Sequence, residues 1–162
     1  MKEIDRQREL YRETLGLLGV DDVVAAGPVM AAQPQVRGAV VRWWRRRRGS
    51  RHPADRISGL NVLALAGGAL WLYRAPKWGP GGIPAIDRLV GWWPVDTVTL
   101  ASTYKELQSL DYDTGNTTRT KVVRIGIKAE GDDRLTVVHG LQNDQTRELV
   151  REIKRATGQR KD

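Results

Sequence analysis

Leu60-Asn61-Val62-Leu63-Ala64-Leu65-Ala66-Gly67-Gly68-Ala69-Leu70-Trp71-Leu72-Tyr73-Arg74 is the stretch from which the architecture of this chain follows. Its two halves, Leu60 to Ala66 and Ala69 to Arg74, flank a Gly-Gly pair able to take the positive φ values of a tight hairpin turn. A strand with one wet face alternates apolar and polar residues, whereas both halves here are apolar at nearly every position. They are therefore expected to be covered on two sides, as a hairpin deep in a β protein.

The flanking sequence extends this pattern. Pro76 to Pro84, with Gly79-Pro80-Gly81-Gly82, reads as a turn or exposed loop. Arg88 to Trp93 and Thr97 to Ser102 read as strands parted near Pro94, with Tyr104 to Asp111 prolonging the second, and Asp113-Thr114-Gly115-Asn116 supplies turn chemistry. In Thr120 to Ala129 the residues Val123, Ile125, Ile127 and Ala129 alternate with Arg124, Gly126 and Lys128, giving one dry face. Arg134 to His139 follows Gly131-Asp132-Asp133, with Leu135 and Val137 expected to repeat the alternation. The last element is a helix capped by Asn143 or Asp144 and ending near Thr157 before Gly158, with Leu149, Val150, Ile153 and Ala156 on its apolar side. Upstream, Glu3 to Leu18 is an amphipathic helix with Ile4, Tyr11, Leu15 and Leu18 on one face, stopped by Gly19. Val23 to Met30 is extended, and its Pro28 suits a strand edge better than a sheet interior.

Charge is concentrated in one place. The 162-residue chain carries a formal net charge of +8, yet Arg37 to Arg56 alone holds eight arginines and one aspartate, so the remainder is close to neutral. Within that region lies Arg42-Trp43-Trp44-Arg45-Arg46-Arg47-Arg48, followed by Arg51. Guanidinium groups pair with phosphates and carboxylates, and indoles either stack on bases or sit among lipid headgroups. Pro34 to Gly59 is read as a long connection, a basic insertion spanning 31–59, for which a helix formed on contact with a partner and a solvated, flexible basic linker are equal alternatives. Lys77 and Trp78 in the glycine-proline loop form a second contact candidate, with folding back onto the sheet as the equal alternative.

Some seven short strands followed by one capped amphipathic helix is the order of pleckstrin-homology-like domains, and from Val23 onward the chain resembles the small bacterial members of that group. The resemblance rests on Val23-Val24-Ala25-Ala26-Gly27-Pro28, on the Leu63 to Arg74 hairpin, on Trp92-Trp93-Pro94 ahead of a strand, and on the final strand pair and helix. It implies an α+β fold, mainly antiparallel β. Two sheets would form a sandwich or partly open barrel capped by the C-terminal helix, with the N-terminal helix (1–19) added to a domain over 20–158 and a tail at 159–162. It also implies a non-catalytic binding module, in whose lipid-binding relatives basic residues of the first strand connection meet phosphates. Arg37 to Arg56 falls between the first and second expected strands. The chain departs from the group in the length of that connection, in its consecutive arginines and in having no aromatic residue over Gln145 to Thr157; the first two favour a diffuse anionic contact over a headgroup pocket.

Other chemistry finds little support. No cysteine is present, and His52 and His139 are the only histidines, so neither thiolate nor histidine-rich metal sites are expected and no cofactor is implied. Asp21-Asp22 and Asp132-Asp133 fit turns and caps better than a carboxylate dyad. Asp111 to Val122 fails as a calcium loop, since Gly115 and Val122 stand where ligands are required. No apolar window reaches membrane-span length and Lys2 to Glu13 is too charged for a secretory signal, so a cytoplasmic protein, peripheral at the inner membrane face in one version, is expected. Three partner classes stay open: an anionic phospholipid surface or acidic protein, a nucleic acid, and a neighbouring subunit that buries Trp43 and Trp44.

Overall fold

The computed structural model describes residues 3–32, 43, 44, 47, 49, 52–57, 59–110 and 113–159. In chain order the elements are helix α1 (Glu3–Gly16), strand β1 (Val23–Ala31), the single-turn helix α2 (Pro53–Arg56), β2 (Leu60–Ala66), β3 (Ala69–Arg74), the short β4 (Lys77–Trp78) and β5 (Pro84–Ala85), β6 (Arg88–Pro94), β7 (Val98–Leu110), β8 (Thr117–Ala129), β9 (Thr136–Leu141) and helix α3 (Asp144–Ala156). The fold is α+β with antiparallel strands, and its main sheet has the order β6-β3-β2-β1-β9-β8-β7. β6 and β7 are joined by only Val95–Thr97 yet stand at opposite edges, so the sheet must curl to bring its edges near each other. The result is a seven-stranded half-barrel between two helices, consistent with a pleckstrin-homology-like arrangement.

Among the described residues the two limbs, β6-β3-β2-β1 and β9-β8-β7, are joined through two residue pairs, Met30 with His139 and Ala31 with Val138. The rest of β1 has no strand beside it on that side, and α3 fills the gap. The Gln145 side chain donates to the Ala26 carbonyl at 3.4 Å, and a Cβ on Gly27 would touch Gln145 and Leu149. Pro28 lies in this part of β1, where its missing N–H interrupts no ladder. At Gly140 a Cβ would lie 2.7 Å from Thr146, so glycine there is what lets α3 come this close to β9.

Two clusters account for the hairpin. Leu63, Leu65, Leu70 and Leu72 point into the half-barrel with Trp93, Leu100, Ile125, Ile127, Val138, Leu149 and Ile153. Val62, Ala64, Ala66 and Tyr73 point outward and are covered by Tyr11 and Leu15 of α1 together with Val20, Val23 and Ile83. The continuous apolar run is thus the signature of a sheet limb roofed by the N-terminal helix.

Several expectations are corrected. Leu18 is half exposed, and the roof of α1 is made by Tyr11 and Leu15 with Leu10 packed beside them. Pro76 to Pro84 is more than a loop: β4 and β5 pair, Gly79 donates to the Ile83 carbonyl, and Gly81, at a φ of 76° that favours glycine, runs beneath Leu10, whose Cδ1 would lie 3.0 Å from an added Cβ. In β9 the dry residues are Thr136 and Val138, not Leu135 and Val137. The pairing with β8 sets this parity, because Thr136 and Val138 stand opposite Ile127 and Ile125, whereas Leu135 lies over Gly126 on the outside. Ala156 is exposed.

Candidate functional site

The basic excursion leaves and returns at one place. At its start the Ala32 amide donates to the Val137 carbonyl at 3.4 Å and Ala31 to Gly59 at 2.8 Å. At its end His52 hydrogen-bonds Asp132 through Nε2, while its Nδ1 accepts the Ala54 amide at 3.1 Å and caps α2. Both feet therefore stand beside the turn between β8 and β9. Pro53 opens α2, fixing φ where the helix needs no donor. Ile57 then enters the interior cluster, so this end of the half-barrel is plugged by the returning excursion.

Asp55 makes the clamp rigid. It is 1% exposed and receives two hydrogen bonds from the Arg134 guanidinium, Nη1 to Oδ1 and Nη2 to Oδ2, each 3.0 Å. Such a fork-to-fork pair fixes orientation as well as distance. Asp132 completes the corner. Its carboxyl is held below the usual carboxylate range by the Arg134 amide first of all; burial opposes this and is next in size, and the hydrogen bond and charge of His52 and the charge of Arg134 add to the lowering.

Of the expected site residues, Trp43, Trp44, Arg47, Lys77 and Trp78 are among those described. Trp43, Trp44 and Arg47 take helical backbone, and the two rings are 52% and 53% exposed, edge-to-face with centroids 6.1 Å apart. Arg47 lies with its guanidinium carbon 4.8 Å from the Trp43 centroid and has no ion pair among the described residues. Arg42, Arg45, Arg46, Arg48 and Arg51 lie outside the described residues. Lys77 and Trp78 are both exposed on β4, Trp78 at 58%, and no ring contact joins Trp78 to Trp43 or Trp44. Of the remaining tryptophans, Trp93 is core, while Trp92 is half exposed and meets Trp71 edge-on, with Trp71 stacked on Tyr73.

Sequence reasoning missed the clamp. His52 has no local partner in the sequence, and Asp132 and Arg134 lie some eighty positions on. Only Asp55, a lone acid in a basic run, hinted at a dedicated role. His139 sits on β9 with Nε2 buried and unpartnered, and burial, then the nearby charges of Lys105 and Arg124, push its pKa down and hold it neutral. Among the described residues no cluster of His, Asp and Glu could hold a metal ion, and no helix is long and apolar enough to cross a membrane.

Comparison with family models, with curated proteins and with solved structures finds no match to this chain. Function must be argued from the geometry itself.

Proposed function

We propose that this protein is a non-catalytic binding module of pleckstrin-homology-like type that docks on an anionic membrane surface through Trp43, Trp44 and the arginines around them. The observation that supports this most is the pair of half-exposed, mutually perpendicular indoles beside a guanidinium with no ion pair among the described residues. Indoles settle at the headgroup level, where the ring is apolar and its N–H stays wet. Each arginine near an anionic surface adds about 1 kcal/mol, so a few of them with shallow ring insertion give reversible attachment. A stacking role on unpaired bases is less well served, because Arg47 already occupies one face of Trp43.

Co-sedimentation with phosphatidylcholine vesicles, with and without phosphatidylserine, tests the proposal. The protein is expected to pellet with the anionic vesicles alone, and Trp43→Ala with Trp44→Ala to weaken that binding roughly tenfold or more. Equal pelleting with neutral vesicles, or none with either, removes the membrane reading. A salt-sensitive mobility shift of single-stranded oligonucleotide in the latter case would favour nucleic acid.

A further inference from the structure

The β7–β8 hairpin is longer than the sheet that holds it. β7 and β8 pair without a register break from Val98 with Ala129 out to Leu110 with Thr117, whereas β9 stops beside β8 at the pair of Val122 with Leu141. From Glu106 and Lys121 outward, the last five residue pairs therefore form a two-stranded arm with no third strand among the described residues, about 17 Å long at the usual rise per residue. At its base the β8 edge is closed. The Gln142 amide donates to the Lys121 carbonyl at 3.2 Å, and Gln142 Nε2 to the Val122 carbonyl at 3.0 Å. Parity along the β7 edge is fixed as well. The Glu130 amide donates to the Thr97 carbonyl at 2.7 Å, so the odd-numbered residues of β7 bond toward β8 and the even-numbered ones point away. Leu100 agrees, since both its backbone groups are taken by the Gln159 side-chain amide. On the arm the outward groups belong to Glu106, Gln108 and Leu110, and none has a backbone partner among the described residues.

A lone two-stranded hairpin is marginal in water, and an open strand edge is normally guarded by lysine, proline or a bulge. This edge has none of these. Glu106 to Leu110 holds one carboxylate, no lysine and no proline, and its ladder shows no shift. Leu110 is 50% exposed and Leu107 is half-buried. Charge points the same way. The whole chain is at +8, yet Glu106 to Lys121 holds three carboxylates (Glu106, Asp111, Asp113) against two cations (Arg119, Lys121). A polyanion, whether lipid or nucleic acid, finds little attraction on such an arm, whereas a second copy meets it without strong repulsion.

We propose that this arm is a self-association element: β7 of one copy pairs antiparallel with β7 of a second across a twofold axis at Gln108, joining the two ribbons into a four-stranded sheet. Gln108 then stands opposite Gln108 of the second copy, and Glu106 opposite its Leu110, at positions whose N–H and C=O already point outward. On the other face Leu107 stands opposite Ser109 of the second copy, so the two Leu107 side chains meet diagonally across the axis. Pairing through the β8 edge is disfavoured, because an axis at Arg119 sets that guanidinium directly against its own copy. The arm shares no residue with the tryptophan pair, so the inference stands or falls apart from the membrane reading.

Sedimentation equilibrium of the full chain over a concentration series, without lipid, tests it together with cysteine cross-linking. A monomer–dimer equilibrium is expected. Gln108→Pro deletes an outward N–H while leaving the β7–β8 ladder whole, and is expected to weaken the dimer at least about tenfold. Because the chain has no cysteine, single introduced cysteines report the register. Gln108→Cys is expected to give a disulfide-linked dimer on mild oxidation, since directly opposed residues of a hydrogen-bonded pair have Cα atoms about 5.5 Å apart. Glu106→Cys is expected not to, because its counterpart lies four residues further along, about 14 Å away. The Trp43→Ala, Trp44→Ala protein should dimerise as the wild type does. A monomer at every concentration overturns the proposal, and so does a dimer that Gln108→Pro leaves intact, since its contact then lies off the arm. Equal cross-linking of the two cysteine variants overturns the axis at Gln108. The cysteine pair keeps the test decisive even if Gln108→Pro folds poorly.

Discussion

Leu15→Ala is expected to lower the stability of the fold by about 3 kcal/mol, the middle of the range for deleting a buried leucine side chain. Leu15 is fully buried, packed with Tyr11 in the outer cluster over Val62, Ala64 and Tyr73. A 14-residue helix of this composition is marginal alone, so α1 is held by this contact more than by its own propensity. Loosening it also uncovers the apolar outer face of the central hairpin, an exposed patch of the kind that drives association. Urea unfolding with matched slopes measures the effect, and Leu17→Ala, at a position 89% exposed, is the control that should stay within about 0.5 kcal/mol of wild type. If the two variants unfold at the same midpoint, α1 is not docked in solution and the reading of the hairpin as a roofed limb is wrong.

How far the sequence carried the fold depends on the range of the signal. The hairpin, the alternation of Thr120 to Ala129 and the capped last helix were legible because each is written in neighbouring residues; Asn143 does cap α3 by accepting the Thr146 amide, and Gly158 follows its end at φ 76°. Leu135 was misread because its facing is decided by the β8 register, not by its own neighbours. The ribbon of β4 and β5 was missed because two-residue strands have no period to detect. Of the candidate site, Trp43 and Trp44 could be named from sequence as a cationic-aromatic pair, while their exposure could not. The edge position of β7 and the approach of α3 to it could not be seen at all, since both are set by topology. The side-chain amide of Gln159, which accepts the Leu100 N–H and donates to the Leu100 carbonyl on the edge of β7, has no sequence signature.

The second large effect is expected at the clamp. Asp55→Ala removes the acceptor of both Arg134 bonds and leaves that guanidinium unpaired beside the plug of the half-barrel. Because the Arg134 side chain keeps 29% of its exposure and can return partly to water, the cost is set at about 2 to 3 kcal/mol, below that of a fully buried broken pair. A cycle of Asp55→Ala, Arg134→Ala and the double variant should give a coupling above about 1 kcal/mol, whereas additive losses would mean that the fork contributes no pairing energy. The same corner gives a pH signature. The Asp132 carboxyl is depressed in the folded state by the Arg134 amide, His52 and the Arg134 charge, so it binds a proton less readily there than in the unfolded chain. Its contribution is therefore present above the unfolded aspartate value of about 3.9 and is lost as pH falls through the lower folded value. The difference in melting temperature between wild type and Asp132→Asn is accordingly expected to be constant near neutrality and to shrink below about pH 4. Asparagine can still accept the Arg134 amide, so the variant isolates the charge from the turn. A difference that stays the same into acid would mean that the charge of Asp132 does not hold the foot of the excursion, leaving Asp55 and Arg134 to carry the clamp alone.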